Sequence, residues 1–244
     1  MRWYYRIRKT ALVSLILLFS LFIFVFLFFP IWGALLCPRC FGFKEVASGI
    51  YVDAELDDDR EISKISSNVD IALSLVRKVY GAVRAPMPTV FLCSSAKCFT
   101  RFGNQGEKAS SYGHWAVVVF SDGNNPVILA HELSHVETGF RIGFYGWASI
   151  PAWFDEGLAV AVSRDSRYLE IGPSGTLSCN KLSGGVLIAD IDEWWQKASA
   201  GDVDIYSAAA CRVVNWINGK NDIGAVEELL DELREGGDFE KLFK

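Results

Sequence analysis

Histidine is scarce in this chain, and an excess of positive charge is missing. Only 3 of the 244 residues are histidine, and the formal net charge is −5. The first nine residues contain four basic side chains and no acid, so the rest of the chain is more acidic still. Because binding to phosphates requires a basic surface, this balance argues against nucleic acid as a partner.

Internal repeats are also absent from the sequence. No period of about 20–50 residues and no low-complexity tract is present, which argues against a repeat architecture. After an apolar start, roughly 200 residues remain, and that length is enough for one domain with a sizeable core.

Charge is missing altogether from residues 10–38. Within this run, residues 11–29 are almost entirely apolar, and they are numerous enough to cross a hydrocarbon core as a helix. The basic residues precede the run, so the positive-inside rule predicts a transmembrane anchor at residues 11–32 with residues 1–10 in the cytoplasm. The remaining chain is then predicted to lie in the periplasm or outside the cell.

Two alternatives to an uncleaved anchor follow from the same run. A cleaved signal peptide is disfavoured because the apolar region is unusually long and no small-x-small cleavage site follows it cleanly. A lipoprotein site at Cys37 is disfavoured because Leu36, directly before it, is bulky. The interpretation is a single-pass membrane protein with an extracytoplasmic domain.

Cysteine occurs only beyond the predicted anchor. An even number of cysteines there is compatible with disulfides in an oxidising compartment. The pairing is open from sequence, and the shortest connections join neighbours along the chain: Cys37 with Cys40, Cys93 with Cys98, and Cys179 with Cys211. The Cys-Pro-Arg-Cys spacing at 37–40 also occurs in redox motifs, but no strand–helix–strand pattern surrounds it. A structural loop in a linker over residues 33–56 is the interpretation, and the spacings give a four-cysteine zinc site no support.

Two of the three histidines stand in one segment, residues 125–139, with the sequence NPVILAHELSHVETG. Asn125 is a suitable helix cap, Pro126 suits the first helical position, and Gly139 can end the helix. The apolar residues between them supply one face for packing into a core. The segment is therefore predicted to be one helix.

His131 and His135 are four residues apart, so their imidazoles lie on one side of that helix and can converge on a metal ion. Glu132 lies beside this face. This is the H-E-x-x-H arrangement of zinc hydrolases, in which the glutamate is the general base. The alternative, three ordinary partly buried polar residues, is disfavoured because the caps supply the helical context that the motif requires.

A hydrolytic zinc site needs a third protein ligand. A histidine six residues after His135 is excluded because Arg141 stands there. The segment PAWFDEGLAVAVS at 151–163 is predicted to be a largely buried helix, which leaves Asp155 and Glu156 as carboxylates that need a charged partner or a metal. His114 is a further possible ligand, but its place on an upstream strand favours a surface or substrate-cleft histidine.

HELSH followed by PAWFDEGLA resembles the gluzincin metallopeptidases, in particular the aminopeptidase N catalytic domain and the smaller peptidase-MA-like domains. The resemblance covers roughly residues 57–235 and is specific in the two helices. It implies that Zn²⁺ is held by His131, His135 and Glu156, and that Glu132 is the catalytic base for the hydrolysis of peptide bonds.

The resemblance implies two further features and shows two departures. A strand at residues 112–121 would pair with an extended peptide substrate, and Tyr206 would be a catalytic tyrosine that stabilises the oxyanion; a core aromatic is the alternative for Tyr206. The glycine-rich exopeptidase motif is missing. Val160 stands where thermolysin-like members keep an acid that orients a ligand histidine, which leaves that orientation unexplained.

These patterns together predict an α+β fold with a zincin-like metallopeptidase domain over residues 57–244. The domain comprises a small mixed sheet with the active-site helix, then a mainly helical C-terminal part, behind one N-terminal transmembrane helix. The predicted function is a membrane-anchored zinc peptidase with a peptide or protein substrate. The alternatives are a zinc-dependent hydrolase of non-peptide amides and a catalytically silent zincin-fold membrane protein.

Overall fold

The computed structural model describes residues 28–244 apart from 148, 174, 180–184 and 221–223, and before these it describes 11–17, 19, 20, 23, 24 and 26. Within this part of the chain the fold is α+β with a mixed sheet, as predicted. The strands are β1 Phe43–Ala47, β2 Ile50–Asp53, β3 Thr89–Cys93, β4 Ala109–Tyr112, β5 Ala116–Phe120, β6 Leu169–Ile171 and β7 Leu177–Cys179. The helices are α1 Pro30–Leu36, α2 Asp59–Tyr80, α3 Ala96–Thr100, α4 Pro126–Trp147, α5 Ala152–Ser163, α6 Ile191–Ser199, α7 Asp204–Lys220, α8 Ala225–Arg234 and α9 Phe239–Leu242.

The predicted transmembrane anchor at residues 11–32 is wrong. Across the described residues, no helix combines the length and the apolar character that a bilayer crossing needs. Within residues 11–32 the backbone leaves the helical region at Phe29 (φ −124°, ψ 77°), because the residue before a proline is kept out of the α region. The single-pass localisation and the membrane as a partner rested on this anchor, so neither is supported. The predicted cytoplasmic segment, residues 1–10, lies outside the described residues.

The main sheet has the strand order β1-β2-β3-β5-β4. β2, β3 and β5 are parallel, whereas β1 and β4 are antiparallel to their neighbours and form the two edges. β3 therefore lies at the centre of the sheet. The single strand predicted at 112–121 is wrong, because a turn around Gly113 (φ 57°) divides it into the end of β4 and the whole of β5.

Apolar side chains cover both faces of the sheet. On one face, α2, α4, α5, α7 and α8 form the larger core, which includes Leu129 and Leu133 of α4. On the other face, α1 and α3 pack against a smaller core around Phe91. After α5, β6 and β7 form an antiparallel hairpin. α4 is held between the sheet and the C-terminal helices.

Three disulfides join the pairs expected from the shortest connections: Cys37–Cys40, Cys93–Cys98 and Cys179–Cys211. The first two close tight loops before β1 and after β3, and the third ties β7 to α7. Disulfides persist in oxidising compartments, so they indicate an extracytoplasmic environment for this domain.

Gly157 is a point of close approach between α5 and α7. A Cβ built there would lie 2.5 Å from the Ala209 carbonyl oxygen, so Gly157→Ala forces the two helices apart. We expect a loss of about 1–3 kcal/mol in the free energy of unfolding, measured by urea denaturation. Gly139→Ala in α4 is the matched control: nothing lies within 4 Å of its built Cβ, so we expect a gain of about 0.5–1 kcal/mol. A neutral Gly157→Ala would contradict this close packing.

Candidate metal centre

The metal helix α4 begins as its sequence predicts. The side-chain oxygen of Asn125 accepts a hydrogen bond from the Ile128 N–H (3.0 Å), and Pro126 follows at the first helical position. The predicted end at Gly139 is wrong, since the helix continues to Trp147 with a kink at Gly143 (φ 70°). Packing of Ile142 into the main core accounts for the extension.

His131, His135 and Glu156 come together from α4 and α5. Their nearest ligand atoms all lie within 4.8 Å of one another. The Nε2 atoms of the two histidines are 3.2 Å apart, and Glu156 places Oε2 3.4 Å from His131 Nε2 and Oε1 3.8 Å from His135 Nε2. Atoms that each bind the same ion at about 2 Å are separated from one another by similar distances. This group could therefore hold a metal ion.

The carboxylate of Glu156 fits this interpretation in a second way. It is 4% exposed, and among the described residues its Oε2 has no hydrogen-bond donor. An unpartnered buried carboxylate oxygen is costly unless a cation satisfies it. The donor set, two imidazoles and one carboxylate, matches what hydrolytic zinc sites use.

Asp155 explains how His135 is oriented. Its Oδ2 lies 3.0 Å from His135 Nδ1. A carboxylate only accepts hydrogen bonds, so neutral His135 carries its proton on Nδ1 and presents the lone pair of Nε2 to the other two ligands. Asp155, and not a residue at position 160, therefore orients this histidine.

The charges at the centre favour a cation. Burial lowers the pKa of His135, but the carboxylates of Asp155 and Glu156 outweigh burial and raise it to about 10. In the absence of a metal, a proton therefore supplies the positive charge. A divalent cation would compete with that proton for the same lone pair.

Glu132 faces the edge strand of the sheet. Burial raises the pKa of its carboxyl group, while the nearby histidines and a hydrogen bond from the Ser111 backbone lower it. α4 packs directly against β4, so Glu132 stands between the ligand cluster and that strand. A carboxyl group with a raised pKa beside a metal site is suited to accept and release a proton.

Tyr206 lies on α7 in an aromatic cluster. Its ring stacks on Tyr168 with centroids 5.4 Å apart and meets Trp194 edge-on at 5.0 Å. Burial raises its pKa, and the nearby charge of Glu156 raises it further. The tyrosine is therefore near the ligand cluster, and its catalytic role stays a prediction. Tyr168 was not identified from the sequence, because no motif marks it.

His114 does not belong to the ligand group. It sits in the turn between β4 and β5, where its ring contacts Trp115 (4.3 Å) and Phe140 of α4 (5.6 Å). The interpretation as a cleft or surface histidine fits this position better than the interpretation as a ligand.

A buried ion pair fixes the far side of the metal helix. Arg141 and Glu137 are each about 1% exposed, and Arg141 Nε lies 2.6 Å from Glu137 Oε1. Glu137 also accepts hydrogen bonds from the backbone N–H groups of Arg84 and Ala85, both at 2.9 Å. Arg141 donates to the carbonyl oxygens of residues 80 and 82. The pair therefore fastens α4 to the end of α2.

Loss of Asp155 tests the orientation of His135. We expect Asp155→Ala to weaken metal binding by about 10–100-fold, because the ring loses the carboxylate that orients it and strengthens its Nε2 as a ligand. Titration against a coloured chelator measures the affinity. Asp53→Ala, at another buried aspartate that bonds Ser94 (2.8 Å) outside the centre, is the control. Unchanged affinity in Asp155→Ala would contradict this role.

Comparisons with known proteins add no assignment. No family model, curated protein or solved structure matches the chain. The shared geometry of the two histidines and Glu156 is therefore the observation on which any functional interpretation depends.

Proposed function

We propose that this protein is a zinc-dependent peptidase of the gluzincin type. The observation that carries the proposal is the convergence of His131, His135 and Glu156, with an unpartnered Glu156 oxygen, beside Glu132 and an edge strand. Zn²⁺ is the metal that best suits this donor set. When bound, it supplies Lewis acidity that lowers the pKa of water towards about 7 and polarises a carbonyl group.

The residues around the ligands have separate tasks in this proposal. Glu132 accepts the proton of the attacking water and returns it to the leaving amine. Asp155 holds the His135 ring so that Nε2 stays directed at the metal position. Tyr206, a neutral donor because its pKa is raised, stabilises the oxyanion of the tetrahedral intermediate.

β4 supplies the substrate-binding edge. Phe120 N–H donates to the Lys108 carbonyl in the pairing of β4 with β5, so alternation leaves the backbone groups of Ala109 and Ser111 on the outer side. The Ser111 N–H donates to Glu132, so the pairing that we propose uses the Ala109 groups and the Ser111 carbonyl. Among the described strands none pairs with this side. An extended peptide can add there as a further strand, with its carbonyl groups close to Glu132.

Metal removal tests the proposal. The full chain should contain about one zinc ion and cleave members of a peptide library. A chelator should abolish cleavage while the circular dichroism spectrum stays native, and added zinc should restore it. If chelation unfolds the chain and no peptide is ever cut, the metal is structural. If the purified protein binds no zinc, the proposal fails at its first step.

A further inference from the structure

An apolar groove lies on the sheet face opposite the metal helix, at the β4 edge. It encloses about 540 Å³, and its wall includes Trp32, Leu35, Phe102, Tyr112 and Trp115. Trp32 and Trp115 are 39% and 48% exposed, and their rings contact each other with centroids 5.0 Å apart. Exposed aromatic side chains that line one concave surface mark a binding site for an apolar group.

One turn connects the groove with the proposed cleft. His114 contacts Phe140 of the metal helix, and the next residue, Trp115, contacts Trp32 in the groove. Gly113 makes this possible, because a Cβ there would lie 2.6 Å from the Trp115 ring. In the turn between β4 and β5, His114 thus contacts the metal helix and the next residue, Trp115, contacts the wall of the groove.

Strand alternation determines which substrate side chains can reach the groove. Ala109 packs into the core on the metal-helix face, whereas Tyr112 packs on the opposite face. Residues directly opposite each other on paired strands place their side chains on the same face, about 4.5–5.5 Å apart at Cβ. A peptide residue opposite Tyr112 therefore directs its side chain to the groove, while its neighbours point towards the metal or away from the sheet.

We propose that the groove is a specificity pocket for an apolar side chain of the extended peptide that pairs with β4. This inference rests on the proposed function, because the occupant of the groove is a side chain of the peptide substrate. The chemistry that it recognises is a branched aliphatic or aromatic side chain close to the cleaved bond. Among the described residues of its lining, Arg101 is the only charged one, which disfavours a lysine or arginine at that position.

Matched peptides measure the preference. A quenched-fluorescence library varies one position at a time between Leu and Ser, and kcat/KM is measured with the full chain. At one position we expect Leu to be preferred by about 10–100-fold. Trp115→Ala should reduce the Leu-to-Ser ratio of kcat/KM at that position at least severalfold, and Trp115→Phe should keep the ratio. Trp195→Ala, at a 49% exposed tryptophan outside the groove, is the control.

A binding assay separates this inference from the proposed function. In a Glu132→Gln background, peptides that carry Leu or Ser at the selected position are titrated against tryptophan fluorescence. Tighter Leu binding that Trp115→Ala removes supports the groove even if no peptide is ever cut. Cleavage with no apolar preference, or a preference that Trp115→Ala leaves intact, overturns the groove and leaves the peptidase proposal standing. A Trp115→Ala effect confined to self-association also overturns it, because the occupant would then be a second copy.

Discussion

Glu132→Gln is expected to lower peptide turnover by about 10²–10⁴-fold while the metal remains bound. Glutamine has nearly the shape of glutamate, so the buried site next to β4 stays filled, but its amide cannot take a proton from water. The proposed ligands are three other side chains, so we expect zinc content to stay at that of the original chain. Hydrolysis of a peptide pool and metal analysis on one sample measure both quantities.

Two companion variants sharpen this result. Glu156→Gln should lose metal and turnover together, because it removes a ligand charge. Glu170→Gln, at an exposed glutamate of β6, should change neither. Normal turnover by a zinc-loaded Glu132→Gln protein would exclude Glu132 as the base.

Arg141→Met is expected to reduce the free energy of unfolding by about 3–5 kcal/mol. The change leaves the Glu137 carboxylate buried without its ion pair, and the carbonyl oxygens of residues 80 and 82 lose a donor. Methionine keeps much of the side-chain volume, so the loss measures the charge and the hydrogen bonds. The midpoint of urea denaturation gives the change if the slope is constant.

An exposed ion pair provides the comparison for Arg141. Lys64 pairs with Glu61 one turn away on α2, and its side chain is 58% exposed. Lys64→Met should therefore cost no more than about 1 kcal/mol, since water screens the pair and already solvates both charges. Equal losses in the two variants would show that burial of the Arg141 pair is not what stabilises α4.

The residues of the candidate metal centre could be predicted because the patterns that mark them lie within short segments of the sequence. Four-residue spacing places His131 and His135 on one helix face, and Asn125 and Pro126 mark where that helix starts. The apolar helix at 151–163 leaves Asp155 and Glu156 as candidates, and the resemblance to the gluzincin metallopeptidases points to Glu156. The structure brings Glu156 to both histidines. The role of Asp155 could not be predicted in the same way, because its partner is twenty residues away and only the packing of α4 on α5 makes them neighbours.

The errors arise where tertiary packing or a single residue overrides composition. The apolar content of residues 11–32 predicts a span, but Phe29 before Pro30 leaves the helical region. The β-branched run after Tyr112 predicts one continuous strand, whereas the turn at Gly113 divides it into two. Gly139 was expected to stop α4, but burial of Ile142 stabilises a further turn. From the sequence, Arg141 indicates only that a third ligand histidine is missing at that position. Its buried hydrogen bonds could not be predicted, because they join it to carbonyl groups at the end of α2.

The brevity of β4 has a consequence for self-association. A free strand edge that can add a peptide can equally add the same strand of another copy, which is a common start of aggregation. β4 has only four residues, and two of them are serines. An edge this short offers few backbone hydrogen bonds to another copy, whereas a peptide bound as we propose would gain further contacts at the metal centre and in the groove. Under that proposal, the length that limits aggregation also makes selective peptide binding depend on the sites at either side of the strand.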